Sequence, residues 1–337
     1  MSAFVIAEVG PNHNGDPKLA MRMVEELAIA GADAIKFQLS IPENLHSLDS
    51  YKARYQEGGA DLGDSLAMSR KLNLAFSDHL ALAQRCDELG LEYMCTAFDL
   101  ESLKFLDAQV NVNRFKVPSG ELLSIDMLEY MSRQNKPIIL STGMATYDEI
   151  EISLNALDPD HKHDVSILHC ISNYPAPLED VNLKCMLELQ QRYGRNVGFS
   201  DHTVGNEAAI AAVALGAQII EKHVTLDKTM PGPDHQASAT VKEFASLTHS
   251  IRDVQKCLGG SEKQFSDGER DVMKAARKSI VVLRNMKKGE TLSSDDICFK
   301  RPGTGLLPTE RDVVIGLRLS NDVGENRVLR FQDIDWP

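Results

Sequence analysis

The chain has 337 residues, 43% of them hydrophobic and 25% charged, with a formal net charge of −13. That composition is ordinary for a globular protein, and its acidity argues against nucleic acid as a partner, because a phosphate-backbone binder needs a basic face. A small anionic substrate is not excluded, since a few lysines focused in a cleft outweigh a diffuse negative surface.

From the N-terminus, strand-like and helix-like patterns alternate. Residues 3–8 form an apolar strand candidate, and residues 17–30 (PKLAMRMVEELAIA) show helical periodicity. Residues 33–38 are the next strand, followed by a polar, Gly-containing excursion over 42–64. Helix 77–89 leads to strand 92–96, and helix 100–108 to the short strand 114–117. Helix 124–134, with Ser124 placed to cap it, leads to strand 137–142. Helix 147–156, strand 165–169, helix 182–192, strand 197–200, helix 207–215 and strand 218–223 complete the series before a last helix over 241–258. Eight strands alternating with helices over roughly 260 residues fit an α/β fold of the (β/α)8 TIM-barrel type, whose active site forms at the C-terminal ends of the strands. A doubly wound sheet is the competitor, but it brings fewer units and a Gly-rich first turn; GPNHNG at 10–15 lacks the GxGxxG spacing.

After Gly259-Gly260 the pattern changes. A barrel domain is expected over 1–262, a charged linker with a helical piece over 263–278, and a small β-rich domain over 279–337. Its strand-like runs are 280–283, 297–300, 314–319 and 327–331. A domain of roughly 60 residues is marginal by size, so it is expected to lean on the barrel or on a second subunit. No apolar run is long enough to cross a bilayer, and MSAFVIAE carries no basic leader, so a cytoplasmic protein is expected. Cys86, Cys95, Cys170, Cys185, Cys257 and Cys298 form no CxxC pair and read as reduced thiols.

The richest stretch is 200–238. Ser200-Asp201-His202-Thr203 and Glu221-Lys222-His223 flank an alanine-rich helix and strand. His202 ends one strand and His223 the next. Adjacent parallel strands lie about 4.8 Å apart, so two such imidazoles reach one divalent ion. Two loop histidines that touch no metal are the plainer alternative.

Polar residues end the other strands as well: Glu8; Lys36 and Gln38; Thr96; Lys116, Ser119 and Glu121; Ser141 and Thr142; His169, Ser172 and Tyr174. Converging on one mouth, they make an anion-accepting pocket. Lys36 and Lys116 sit inside apolar strands, where a lysine is costly unless paired. Each fits an ion pair with Glu8 or Glu121, a clamp on a carboxylate or phosphate, or a Schiff-base lysine. The hydroxyls of Thr96, Ser119, Ser141, Ser172 and Ser200 suit phosphate oxygens, or else each caps a helix. Asp234 and His235 follow the rigid turn Pro231-Gly232-Pro233, where a carboxylate reaches sugar hydroxyls or merely caps a loop. Asn12, His13 and Asn14 are an Asx-turn cluster or a pocket lining. Arg301, on a Pro-Gly loop, reads by itself as a surface arginine.

Together these motifs resemble the nonulosonic acid synthases, the sialic acid synthase family. The matching stretches are AEVGPNHNGD (7–16), GADAIKFQ (31–38), RFKVPSGE (114–121), KPIILSTGM (136–144), HCISNYP (169–175), FSDHT (199–203), EKHVT (221–225), PGPDHQAS (231–238) and KRPGTG (300–305), covering nearly the whole chain. The resemblance implies condensation of phosphoenolpyruvate with an N-acyl-hexosamine and water. It also implies a barrel followed by a C-terminal antifreeze-like (SAF, β-clip) domain, swapped across a homodimer. His202 and His223 match metal ligands for Mn²⁺, or Mg²⁺ or Co²⁺. Lys36, Gln38, Thr96, Lys116, Ser119, Ser141, Ser172 and Ser200 match the surroundings of phosphoenolpyruvate. Glu8 matches a proton-handling carboxylate, and Glu221, Tyr174 and Asp234 match residues near the sugar or metal. Arg301 matches an arginine that reaches the partner's site to bind the N-acyl group. Ser172 stands where some bacterial members have Asn, which leaves the sugar open among N-acetylmannosamine, its 6-phosphate and a 2,4-diacetamido-trideoxymannose. From the residues alone, a Schiff-base lyase using Lys36 or Lys116, and an ice- or partner-binding protein, are the rival readings.

Overall fold

The computed structural model describes residues 3–52 and 63–337, in two compact units, Met1–Gly259 and Gly260–Pro337. In the first unit the strands are β1 (Phe4–Glu8), β2 (Ala34–Leu39), β3 (Glu92–Ala97), β4 (Phe115–Val117), β5 (Ile138–Ser141), β6 (Val165–Cys170), β7 (Val197–Asp201) and β8 (Ile219–Thr225). They pair in parallel in sequence order, and β8 pairs back to β1, so the sheet closes into the expected eight-stranded barrel. A two-residue strand, β9 (Ala239–Thr240), pairs in parallel with the end of β8.

Side chains alternate across each strand, and this alternation builds both the core and the site. The outward set, including Val5, Ala7, Ile35, Phe37, Phe115, Val117 and Ile220, packs with Met23, Leu27 and Phe244 of the surrounding helices. The inward set begins apolar: Ile6, Ala34, Met94, Ile139, Leu168 and Ile219 form a separate buried cluster. Two residues further along the same strands, the inward positions hold Glu8, Lys36, Thr96, Ser141, Cys170 and Glu221. The barrel interior therefore passes from hydrocarbon to charge within roughly 7 Å of strand. Gly198 occupies the apolar layer of β7, where a Cβ would collide with Ile219 O and Leu168 Cδ2.

The helices start on side-chain caps. Asp16 accepts from Lys18 N at the head of Pro17–Ile29, and Thr240 with Glu243 forms a capping box on Val241–Leu258. Asp99 heads Leu100–Phe105, accepting from Ser102 N at 2.9 Å, and its other oxygen accepts from Ile41 N at 2.7 Å. Ser124 precedes helix Ile125–Ser132 but does not cap it with its side chain; the hydroxyl donates instead to Glu121. The excursion over 42–64 opens with a short helix, Pro42–Leu45, and residues 53–62 of it lie outside the described residues. Helix Ser65–Leu72 follows, capped by Asp64 and hidden from pattern reading because its polar residues mask the period.

In the second unit, β10 (Ser279–Val282) pairs antiparallel with β11 (Ile297–Lys300), and β12 (Arg318–Leu319) with β13 (Ile334–Asp335). Its own core gathers Ile280, Val282, Met286, Leu292, Val314, Leu319, Leu329 and Ile334. Helix Asp267–Ala276 belongs to this unit. The run 314–319 is not a continuous strand: Arg311–Val314 is helical, and Gly316 turns the chain at φ +89° before β12. The run 327–331 is likewise not a strand. It makes one bridge, Val281 to Val328, and ends in the 3-10 turn Phe331–Asp333. In both runs the apolar residues serve a very small core without forming a ladder.

Candidate active site

Every residue that the family resemblance assigns to the site except Arg301 lines one cavity of about 440 Å³ at the C-terminal end of the barrel: Glu8, Lys36, Gln38, Thr96, Lys116, Ser119, Ser141, Ser172, Tyr174, Ser200, His202, Glu221, His223 and Asp234. That volume suits a small-molecule site. Arg301 lies in the second unit, exposed, with its Nε donating to Ala276 O at 2.9 Å.

The floor is a network of buried charges. Lys36 Nζ is 2.7 Å from Glu8 Oε2 and 3.6 Å from Glu221 Oε2, and it donates to Thr96 Oγ1 at 3.3 Å. Gln38 Nε2 donates to Glu8 Oε1 at 2.8 Å. Lys116 Nζ donates to Ser141 Oγ at 2.7 Å and Val117 O at 3.3 Å, and lies 3.9 Å from Glu221 Oε2. Ser200 Oγ donates to Glu221 Oε1 at 2.9 Å.

Burial raises the Glu8 carboxyl against the pull of Lys36. Burial pushes Glu221 the same way, but Lys116, Lys36 and His223 outweigh it and hold that carboxyl down to about 2. Burial works to lower Lys36, yet Glu221 and Glu8 keep its ammonium above the usual range. At Lys116 burial prevails and the ammonium is lowered. Lys36 is thus committed to carboxylates, and Lys116 is the cation with capacity left for an incoming anion.

The imidazoles form one wall. His202 Nδ1 is 2.7 Å from Ile171 O; a carbonyl only accepts, so Nδ1 carries the proton and Nε2 keeps its lone pair, 3.3 Å from Ser200 Oγ. The His223 ring centre lies 5.3 Å from that of His202. His223 Nδ1 is buried without a hydrogen-bond partner, 3.6 Å from Asp234 Oδ2. Burial lowers both imidazoles, aided at His223 by the neighbouring His202 and Lys36, so both are neutral at pH 7. Burial, with Glu8 adding, raises Asp234 to about 7. Tyr174 packs its ring 4.2 Å from His202 and 5.6 Å from His223. Two neutral imidazoles fit a divalent ion, one with its tautomer set by a backbone carbonyl and one with an unpartnered nitrogen. Among the described residues no group of three or more His, Cys, Asp or Glu is arranged to hold a metal.

Hydroxyls of Thr96, Ser119, Ser141, Ser172 and Ser200 line the same cavity. Ser119 Oγ accepts from Gly143 N at 2.9 Å and sits 3.2 Å from Cys170 Sγ. A Cβ on Gly143 would run into Ser172 Oγ, Cys170 Sγ and Ser119 Oγ, so glycine lets the backbone reach these groups.

Comparison with known proteins places the chain in a family. Residues 23–263 match the NeuB family, and residues 277–335 match the SAF domain. The chain belongs to the NeuB family. It is 39% identical to the N,N'-diacetyllegionaminic acid synthase of Legionella pneumophila, across 99% of this chain and 95% of that protein. To the synthase of the same name from Campylobacter jejuni it is 40% identical, across 97% and 98%. The N-acetylneuraminic acid (sialic acid) synthetase of Leptospira borgpetersenii, solved in complex with citrate, aligns with a TM-score of 0.72 at 33% identity, covering 81% of this chain and 90% of that one. The resemblance to the nonulosonic acid synthases therefore holds, with a barrel and a C-terminal SAF domain, and this NeuB-family chain is an enzyme.

Several polar residues expected at the mouth of this NeuB barrel are elsewhere. Asp201 faces outward and pairs with Lys222 at 2.7 Å. Thr142 Oγ1 donates to Leu168 O at 2.9 Å, and His169 Nε2 donates to Val181 O at 2.6 Å with its ring stacked on Phe199. Glu121 lines a separate pocket, so the carboxylate near Lys116 is Glu221 and not Glu121. A one-residue offset along a strand sends a side chain to the other face. Of the early cluster, His13 lines the cavity, while Asn12 Nδ2 donates to Val224 O and Ser238 Oγ, both at 2.8 Å. Sequence reading missed the apolar wall of Leu39, Leu45, Met68, Leu72 and Phe98, and also Cys170. Hydrophobic side chains carry no chemical signal, although alternation from Leu168 points Cys170 inward.

Proposed function

We propose that this chain condenses phosphoenolpyruvate with an open-chain N-acyl-hexosamine and water, giving a nine-carbon nonulosonic acid and phosphate. The observation that carries the reading is the single cavity in which two buried lysines, a set of hydroxyls and two facing neutral imidazoles converge. Lys116, with the hydroxyls of Ser119, Ser141, Ser172 and Ser200 and Thr96 near Lys36, would hold the carboxylate and phosphate. His202 and His223 would hold a divalent ion, Mn²⁺ in the first instance and Mg²⁺ or Co²⁺ otherwise. Once bound, that ion would polarise the sugar aldehyde. The C2–C3 π pair of the enol phosphate forms the new bond to the aldehyde carbon, and the carbonyl pair goes to its oxygen, which takes a proton. Water bonds to C2 and yields a proton to Glu8, whose raised pKa suits it as a base. Glu8 passes that proton on to the new alkoxide; the C2 hydroxyl then gives up its own proton, its O–H pair closes the C2 keto group, and the C2–O bond to the phosphoryl group breaks, so that phosphate leaves with the bond pair and takes the second proton. Asp234 and Tyr174 would orient the sugar, and Arg301 would come from the second subunit of a domain-swapped homodimer to meet the N-acyl group.

For the sugar we favour a 2,4-diacetamido-2,4,6-trideoxymannose. The names of the Legionella and Campylobacter relatives support it. So does the apolar wall of Leu45, Met68, Leu72 and Phe98; among the described residues the lysines and arginines lining the cavity are Lys36 and Lys116, leaving none for a sugar phosphate. The test is phosphate release from phosphoenolpyruvate with a panel of N-acyl-hexosamines, with and without chelator. Release with the diacetamido sugar that stops on chelation is expected; no release with any sugar overturns the reading. The lowered ammonium of Lys116 keeps one rival, a Schiff-base lyase. Borohydride trapping with pyruvate decides it, since a covalent adduct on Lys116 favours the lyase.

A further inference from the structure

We infer that Asp201 and Lys222 are a positioning pair, a clamp on the outer face of β7 and β8 that sets how His202 and His223 face each other. The inference rests on the metal reading above. The two residues stand opposite in the β7–β8 register, and each is next in sequence to one of the histidines. Both are buried, at 1% and 2% exposure. Lys222 Nζ is 2.7 Å from Asp201 Oδ2 and donates also to Thr203 O at 2.6 Å and Gly205 O at 2.9 Å. Asp201 Oδ1 accepts from Thr203 N at 2.9 Å and from Thr203 Oγ1 at 2.7 Å. All three donors of one ammonium are spent on the end of β7 and the turn that follows His202.

Stability alone does not call for this arrangement, because well-packed hydrocarbon often replaces a buried ion pair without loss. What hydrocarbon cannot do is pin the turn after His202 to the residue before His223 at several directed points. Alternation places 201 and 222 outside and 202 and 223 inside, so any slip of the clamp is delivered to the two rings. The Ile171 carbonyl holds His202 from the other side. That carbonyl is a direct hydrogen-bond partner of the ring, the usual way a metal-binding histidine is oriented, whereas Asp201 and Lys222 act through the backbone on either side.

Lys222→Met and the double variant Asp201→Asn/Lys222→Met, made in the full chain, test the pair. The readouts are Mn²⁺ affinity by electron paramagnetic resonance, the two KM values, and the unfolding midpoint without metal. Lys222→Met is expected to weaken Mn²⁺ binding about tenfold or more. It should raise the KM for the sugar and leave that for phosphoenolpyruvate within about twofold. The double variant, which leaves no unpaired charge, should regain the unfolding midpoint without regaining Mn²⁺ affinity. A folded Lys222→Met protein with wild-type Mn²⁺ affinity overturns the inference, whatever its midpoint. Should that variant not fold, wild-type affinity in the double variant overturns it equally, and weakened affinity there supports it. A wild-type chain that takes up no Mn²⁺ overturns the metal reading and this inference with it, which separates the two kinds of failure.

Discussion

Lys36 and Lys116 look alike in sequence and differ in duty because their carboxylates differ. Lys36 lies between Glu8 and Glu221, and removing it strands two buried acids. Lys36→Met is therefore expected to cost about 3 kcal/mol of stability in urea denaturation. Lys116→Met should cost less, because its ammonium donates to a hydroxyl and a carbonyl and lies 3.9 Å from one carboxylate, Glu221, which keeps Lys36 beside it, and should raise the KM for phosphoenolpyruvate about tenfold or more. A third residue reports through pH. His79 is fully buried, its Nδ1 2.6 Å from the Tyr93 hydroxyl, and burial holds it down to about 3, with His13 adding. The unfolded chain binds its proton near pH 6.5 and the folded chain does not, so stability falls as the pH drops from about 6.5 towards 3. The loss attributable to His79 is about 3 kcal/mol at pH 4. Chemical denaturation at pH 7 and pH 4 should show a smaller pH slope in His79→Gln than in wild type.

At the scale of elements, strand alternation does most of the work. It makes a single strand such as β8 serve the core through Ile220 and the cavity through Glu221 and His223. The apolar wall depends on local caps more than on strands. Asp99 caps Leu100–Phe105 and also accepts from Ile41 N, just before the helix that carries Leu45. Asp99→Ala should cost about 1–2 kcal/mol in denaturation. It should also raise the KM for the sugar more than that for phosphoenolpyruvate, because it loosens the wall and leaves the lysine floor in place.

For the whole molecule, the proposed domain swap makes a prediction that neither unit makes alone. His202→Ala and Arg301→Ala should each be nearly inactive. Mixed and allowed to exchange subunits, they should regain about a quarter of wild-type activity, because half the dimers are hybrids and one of their two sites takes both intact parts. No recovery on mixing would mean that Arg301 serves its own barrel or none. The acidic surface bears on this scale too. A net charge of −13 repels phosphoenolpyruvate at a distance, so capture depends on the lysines focused inside the barrel.

The amino-acid order alone determined the eight βα units and the polar residue types at the strand ends, because period and polarity are local properties of the chain. Lysines set in apolar runs such as AIKFQ also marked the pocket, since burying a charge calls for a partner or a function. Which partner was decided in three dimensions: Glu221, far along the chain, comes near Lys116, while the nearby Glu121 faces elsewhere. The same holds for Asp201 beside His202, one turned out and the other in, and for the leucines and methionine that wall the cavity. Closing the barrel sets these relations, because only closure brings β1 against β8 and gives every strand an inside.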